Sequence, residues 1–404
     1  MADFAIPDFD VVVLGGGLVG CSLACALEGK GLRVALLEAR APTPIPPGFD
    51  ERRLALAAAT INALSGLGVL GKLGTPPSPL RRIHVSRSGD FGSVRLEAAE
   101  YGRESFGGVV SARELGMALE ARLPELSDAR VLRPCTVRAI TQDAQACTLD
   151  VEHEGAPRRL RAALLVAADG TASFAREQLG IGNERHDYGQ TLFVSALATD
   201  RAADGTAYER FTEQGPTALL PMGRDYGAIC AVANADAARV GALDDDGYRE
   251  YFQQRFGWRA GRFERVGKRS AHPIVRVLAD RLVQGRAVLV GNAAQTIHPV
   301  GAQGFNLGLR DALALAQLLQ RGADPGASDP LAAYVESRRE DRERTLAFSD
   351  GLARLTANPS EPLRALRSLG LLALGNLPGL AAPLVAGAMG LRGEVPTLAR
   401  GRQA

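Results

Sequence analysis

The stretch DVVVLGGGLVGCSLACALEGKGLRVALLE, residues 10–38, decides the fold. Its opening, DVVVL at 10–14, is a continuous β-branched run, the pattern of a strand buried on both faces. The next six residues, GGGLVG, match G-x-G-x-x-G through Gly15, Gly17 and Gly20, and the chain to about Gly29 reads as a helix. A second strand, LRVALLE, follows at 32–38. In a β-α-β unit these glycines permit the tight turn, the approach of backbone to a pyrophosphate, and close helix–sheet packing. The helix then directs its free N–H groups at the phosphates. Glu38 closes the second strand, where a carboxylate accepts ribose hydroxyls. The reading is a doubly wound α/β unit that opens on a dinucleotide site.

A second match to the glycine pattern, Gly66, Gly68 and Gly71, lacks that context. A helix-like segment at 54–64 precedes it, and Pro76, Pro77 and Pro79 stand where its helix should begin. It is expected to be a loop, so a nicotinamide donor would bind without a Rossmann domain of its own. Further along, 164–168 is a buried strand ending in Asp169-Gly170, and 287–290 repeats that texture. Helices are expected at 112–123, 304–319 and 331–352, and strands at 82–96. Between 182 and 275 short alternating segments predict a mostly antiparallel sheet, with Trp258, the only tryptophan, in its core. The expected organisation is α/β (α+β overall). Residues 1–81, 97–181 and 276–355 form a discontinuous Rossmann-like dinucleotide domain. Residues 82–96 and 182–275 form an inserted substrate-binding sheet domain, and 356–404 an apolar helical C-terminus.

Composition narrows the function classes. A net charge of +2, with mixed signs along 404 residues, gives no polyanion footprint and argues against a nucleic-acid partner. Five scattered cysteines (Cys21, Cys25, Cys135, Cys147 and Cys230) supply neither a metal cluster nor a disulfide framework, and fit a reducing cytoplasm. Asp3, Asp8 and Asp10 precede the first apolar run, which argues against a secretory signal. No Ser-His-Asp or paired-carboxylate arrangement stands out, as expected where a cofactor carries the chemistry.

Two further motifs make a resemblance specific: LLVAADGTAS at 164–173, and RAVLVGNAAQTIHPVGAQGFNLGLRDA at 286–312. Together with the first glycine motif their order resembles the para-hydroxybenzoate-hydroxylase-type flavoprotein monooxygenases. Asn292 and Gln295 in GNAAQ resemble the subgroup of 2-octaprenyl-6-methoxyphenol hydroxylases of ubiquinone biosynthesis, most of the wider family having Asp at 292. FDERRLALAA at 49–58, ERFTEQGP at 209–216, FGW at 256–258 and GKRSAHP at 267–273 are similar to the same subgroup. Two departures stand out: Gly301-Ala302 inverts the usual Ala-Gly, and His272 replaces an aromatic residue before Pro273.

The resemblance implies FAD as cofactor, held by Gly15, Gly17, Gly20 and Glu38, with Asp169 and Gly170 near the pyrophosphate and the nicotinamide path. Asn292 would meet the ribityl chain, and Pro299, Gln303, Gly304, Phe305 and Asn306 the isoalloxazine. Arg52 is either a flavin contact or a surface arginine, and Arg113 either reaches the pyrophosphate or does not. His298 is either a general base or a histidine packed beside Pro299. Leu220, Pro221, Met222 and His272 would hold the ring substrate. No metal is implied. NAD(P)H would reduce FAD, dioxygen would give a C4a-hydroperoxyflavin, and one oxygen would pass to a polyprenylated methoxyphenol. The backbone N–H groups of Gly304 to Asn306 would stabilise charge on the reduced flavin. Open alternatives are a sister ring hydroxylase of other regiospecificity, an FAD-dependent prenyl reductase and a non-catalytic FAD scaffold.

Residues 368–391 contain no charge, and Arg364, Arg367 and Arg392 flank them. Pro378, Pro383 and five glycines break any single span. Two short helices in the membrane interface are expected, with the arginines as headgroup anchors; the alternative is a pair packed over the FAD domain's own core. The first reading implies a cytoplasmic enzyme, peripheral at the inner face of the cell membrane, beside other quinone-biosynthesis proteins.

Overall fold

The computed structural model describes residues 8–41, 52–357 and 360–401. Phe9–Leu14 is the strand expected at the start, with Val11, Val12 and Val13 fully buried. It runs parallel to Val34–Leu37 on one side and to Ala156–Ala167 on the other. Ala129–Leu132 and Ala287–Leu289 extend the parallel sheet outward at its two sides. All five strands therefore end at one edge. Gly15, Glu38, Ala168 and Val290 lie just beyond those ends, in the crevice where open α/β sheets bind ligands.

The inserted region forms a nine-stranded sheet. Asn183–Thr199 lies between Ser270–Ala279 and Asp225–Ala233, followed by Gly215–Met222, Thr206–Thr212, Arg82–Arg87 and Ser93–Glu97. Period-2 alternation separates its faces. Leu219, Tyr226, Cys230, Phe252 and Phe256 pack between one face and the helices Asn234–Gly241 and Asp245–Phe256. Trp258 does not join this core; it is 68% exposed, because Gly257 (φ +87°) turns the chain outward after the helix.

The segment expected to be helix at 54–64 divides. Arg53–Ala57 is a strand, paired antiparallel with Gly107–Ser111, and only Ala58–Gly66 is helical. Pairing with a distant strand overrides the helical propensity of Leu-Ala-Leu-Ala. The second glycine pattern is a connection, passing from that helix to the short 3-10 turn Leu70–Lys72.

The C-terminal helices Glu361–Asn376 and Pro378–Ala388 meet at a bend of 89°. Among the described residues no single helix is long and apolar enough to cross a membrane. Ala381, Val385 and Met389 are buried; Val385 and Met389 pack with Leu80, Phe106 and Val109, and the Met389 carbonyl accepts the Ala59 N–H at 3.1 Å. Leu366, Leu369, Leu377 and Leu380 on the same pair are more than half exposed. Arg364 and Arg367 face a carboxylate of the protein. Both guanidiniums lie against Asp90, at 3.7 and 3.2 Å, beside Arg87 at 3.0 Å. The Asp90 side chain has 0% exposure, and a carboxylate so buried must be paired.

Behind the third motif, Gln303–Leu318 packs on the long helix Ser328–Ala357 through a buried polar network. Arg338 Nε donates to Asp311 at 2.8 Å and its Nη2 to Asp341 at 2.6 Å. Gln295 donates to Asp311 at 2.5 Å and accepts from Arg342 at 2.8 Å. Gln295 is thus the cross-link between the GNAAQ turn and both helices. Replacing Asp311 by Ala removes one of the two carboxylates that hold the Arg338 cation, whose side chain is 1% exposed, and leaves its Nε unpaired. Denaturant unfolding should register a loss of about 3–5 kcal/mol, and a loss under about 1 kcal/mol would show the network to be dispensable.

Candidate active site

The first glycine motif is built by close contacts. Gly15 has φ +111°, and a Cβ there would stand 2.5 Å from the Ala168 carbonyl oxygen. A Cβ on Gly20 would stand 1.9 Å from the Gly15 oxygen. A Cβ on Gly17 would instead meet nothing within 4 Å. The open space in front of Gly17 lies at the start of the helix Leu18–Ala26, where no side chain caps the first turn. The first intrahelical bond runs from the Cys21 N–H to the Gly17 carbonyl at 2.9 Å, leaving the N–H groups of Leu18, Val19 and Gly20 without helical partners. Glu38 accepts the Gly16 N–H at 2.8 Å and the Arg40 N–H at 2.9 Å, which fixes its carboxylate at the rim. The cradle fits a dinucleotide pyrophosphate, with lone pairs left on Glu38 for a ribose.

The third motif is pressed onto this cradle. A Cβ on Gly308 would lie 2.9 Å from Val19 Cγ2 and 3.0 Å from Gly291 Cα. Only glycine at 308 lets the two helices and the GNAA turn meet so closely. Asn292 is exposed at that turn, and its side-chain amide has no hydrogen bond among the described residues. It is free to receive a ribityl hydroxyl.

Asn306 behaves differently from expectation. Its Oδ1 accepts from the Ala57 N–H at 2.9 Å and from Thr60 Oγ1 at 2.7 Å, and its Nδ2 donates to the carbonyls of Ala55 and Ala302, both at 2.9 Å. The side chain is saturated by protein. Ala302 is the N-cap of Gln303–Leu318, so the Asn306 N–H closes the first turn, and the free donors narrow to Gln303, Gly304 and Phe305. Through these four bonds the Asn306 side chain fixes the loop that carries Ala302. Ala302 holds φ +51°, the left-handed conformation that glycine adopts at lower cost.

A cavity of about 310 Å³ adjoins this loop, near the lower limit of the roughly 300–1,000 Å³ of small-molecule sites. The sheet provides Ile83, Val85, Ala218, Leu220 and Ile229; the loop provides Pro299, Gly301, Ala302 and Gln303; the C-terminal helices provide Leu371, Leu374, Leu384 and Val385. Of the expected substrate residues Leu220 lines it, whereas Met222 packs among the apolar residues at its edge. Pro221 alternates to the opposite side of its strand from Leu220, and His272 is exposed on the strand Ser270–Ala279, its Nε2 3.1 Å from Ser270 Oγ. Neither borders the cavity.

Other expected residues have structural employment. His298 is 2% exposed and does not line the cavity. Its Nδ1 accepts the Val300 N–H at 3.2 Å, its ring stands edge-on to Tyr188, and burial lowers its pKa to about 4, leaving a neutral packed ring. Asp169 accepts from Ser173 Oγ at 2.5 Å and from the Ala175 N–H at 2.9 Å, holding the helix Phe174–Gln178 behind Gly170 (φ +89°). The Arg113 guanidinium meets only Met117 Sδ, at 3.7 Å, and has no carboxylate partner among the described residues. The Arg52 carbonyl accepts the Ala112 N–H at 2.9 Å, tying its segment to Arg113's helix. Residues 42–51, including most of the Pro-rich loop, lie outside the described residues.

One residue of the cavity wall belongs to the ERFTEQGP stretch. Glu209 lines the cavity beside Ala207, and burial raises its carboxyl pKa to about 7. The period-2 pattern, which puts Glu209 on the same strand face as the buried Ala207 and Phe211, was the available signal.

Comparison with known proteins agrees with this architecture. A family model described as FAD binding domain matches residues 8–349. Ubiquinone hydroxylase UbiL of Rhodospirillum rubrum is 36% identical over 401 residues, covering 97% of this chain and 92% of that protein. Ubiquinone hydroxylase UbiM of Neisseria meningitidis is 30% identical, covering 92% of this chain and 82% of its own length. The solved structure of p-nitrophenol 4-monooxygenase PnpA from Pseudomonas putida superposes with a TM-score of 0.77 at 20% identity, over 98% of this chain and 99% of that one.

Because a side chain at 17 would project into open space, Gly17→Val should fold normally and lose the dinucleotide. Circular dichroism should match wild type while the purified protein comes out colourless; stoichiometric flavin in the variant would overturn the cradle. Asn292→Asp should keep its flavin, since no group among the described residues bonds to the amide. A flavin content below half of wild type would place an unrecognised partner at that turn.

Proposed function

The chain belongs to the FAD binding domain family and is an FAD-dependent monooxygenase, and on that premise we propose that it hydroxylates the ring of a lipophilic, prenylated phenol in ubiquinone biosynthesis. The observation that carries the reading is the apolar cavity built against the loop Pro299–Gln303, large enough for a substituted ring and walled almost wholly by aliphatic side chains. Two relatives named as ubiquinone hydroxylases, each matched along most of its length, support the substrate class.

The residues present fit FAD, through the cradle at Gly15, Gly17 and Gly20, the Glu38 carboxylate and the exposed amide of Asn292. FAD, reduced by NAD(P)H, supplies the redox chemistry that activates dioxygen. The protein does the rest. The free N–H groups of Gln303, Gly304 and Phe305, at the positive end of a 16-residue helix, would stabilise negative charge on a reduced flavin held beside them. The aliphatic walls orient the phenol and exclude water. Hydroxylation of a geranylated methoxyphenol under labelled dioxygen tests the reading: one labelled oxygen should enter the ring, with consumption of NAD(P)H. Turnover under strict anaerobiosis, or label appearing only in peroxide and water, would contradict it.

The C-terminal pair supports a proposal about place. We infer that its outer leucines rest on the cytoplasmic face of a membrane while its inner side walls the cavity, so that a bilayer-dissolved phenol reaches the ring site directly. Leu384 belongs to both, being 46% exposed and part of the cavity wall. All five cysteines are free and buried, in keeping with a reducing compartment. Because these helices complete the cavity, deleting them would damage the fold. The outer face is the place to test. Leu366→Ser with Leu369→Ser and Leu380→Ser should keep flavin and melting temperature yet lose most sedimentation with liposomes; undiminished sedimentation would refute the placement.

A further inference from the structure

Among the described residues, Glu209 is the only carboxylate in the wall of the ring cavity. Thr206–Thr212 pairs with Arg82–Arg87 in parallel and with Gly215–Met222 in antiparallel, placing Val85 and Ala218 directly opposite it. Gly301 stands on the facing loop, with its backbone N–H toward the carboxylate, and Phe348 and Leu374 come from the helices that close the cavity. None of these neighbours ionises, and among the described residues no cation pairs with Glu209. Tyr208, the other ionisable residue of the wall, packs its ring on Tyr226 and Phe256.

A lone carboxylate in an aliphatic cavity lowers stability, because desolvation disfavours its charged form without a compensating pair. Three buried carboxylates elsewhere are treated otherwise: Asp90, Asp311 and Asp341 each pair with at least one arginine. We propose that Glu209 is a catalytic base that takes the hydroxyl proton of the phenol bound in the cavity. The phenol O–H bond breaks as a carboxyl O–H bond forms, and the electron pair stays on the phenol oxygen. The resulting phenolate donates into the ring and makes its carbon a better nucleophile toward the activated oxygen. The Gly301 N–H couples the base to the flavin-side loop, so that proton acceptor and cofactor are held in one frame.

Burial holds the carboxyl near pH 7 rather than in the usual carboxylate range, so its base form is populated at neutral pH, where Brønsted behaviour favours a base. The sign for stability follows. The unfolded chain ionises Glu209 at lower pH than the folded one does, so the protein loses stability as pH rises from about 4.5 to about 7. Substitution by neutral, isosteric Gln removes that penalty.

The proposal rests on the phenol-hydroxylase reading, and E209Q separates the two. With geranylated methoxyphenol, wild-type kcat/KM should rise with pH through about 7. E209Q should be about 100-fold slower at neutral pH, and should recover as pH approaches about 10, where the phenol ionises unaided. Its melting temperature should equal wild type at pH 5 and exceed it at pH 8.5, with flavin content unchanged, and E209D should recover part of the neutral-pH rate. An E209Q enzyme with the wild-type pH profile overturns the role of Glu209. So does loss of flavin from E209Q, which would assign the carboxylate to holding the loop. A wild-type enzyme that hydroxylates no phenol overturns the functional reading itself, whatever E209Q does.

Discussion

The amide of Asn306 is the junction on which the site depends. Its two donors and two acceptor positions are all used, on the strand Arg53–Ala57, the helix beginning at Ala58, and the loop residue Ala302. Each buried amide group left without a partner would cost about 1–3 kcal/mol, so the four bonds leave one arrangement of the three segments strongly preferred. That arrangement places the N-terminus of Gln303–Leu318 beside Ala55 and Ala57, which themselves line the ring cavity. Flavin-side donors and substrate wall are thus held by one side chain. The same residue type in solvent would specify nothing.

Two further constraints hold that junction against the dinucleotide domain. The contact of Gly308 with Gly291 and Val19 lets helix, turn and first-motif helix share space that any larger residue would fill. Behind it, the pairing of Arg338 with Asp311 and Asp341 locks the same helix to Ser328–Ala357. A buried ion pair adds little net stability over apolar packing, but it penalises every register except the one that pairs it. The molecule therefore spends polar groups where position matters and leaves the cavity almost wholly apolar. Glu209 is the exception, and its lack of a cationic partner among the described residues distinguishes it from Asp90, Asp311 and Asp341.

Much of this is legible in the amino-acid sequence. The first β-α-β unit depends on contacts within thirty residues and on glycine sterics, both of which local sequence carries. The long helices and the inserted sheet were legible from periodicity. What escaped depends on distant partners. The strand Arg53–Ala57 exists because Gly107–Ser111 pairs with it, and no local signal announces that. Arg364 and Arg367 read as membrane anchors until Asp90, nearly three hundred residues away in sequence, is placed between them. His298 beside a cofactor loop invites a catalytic role, yet burial and the Val300 N–H make it structural. Glu209 was visible as one acid on an apolar strand face, but which face meets the cofactor loop is a tertiary fact.

The central claim is that the flavin ring and the phenol share the space between Pro299–Phe305 and the sheet strand carrying Leu220. A crystal structure of the FAD-loaded enzyme with a geranylated methoxyphenol measures this directly. The isoalloxazine should border the loop with its carbonyl edge facing the N–H groups of Gln303 to Phe305, and the phenol ring should lie in the cavity between it and Leu220. A flavin ring seated away from that loop, or a phenol bound outside the cavity, would contradict the account.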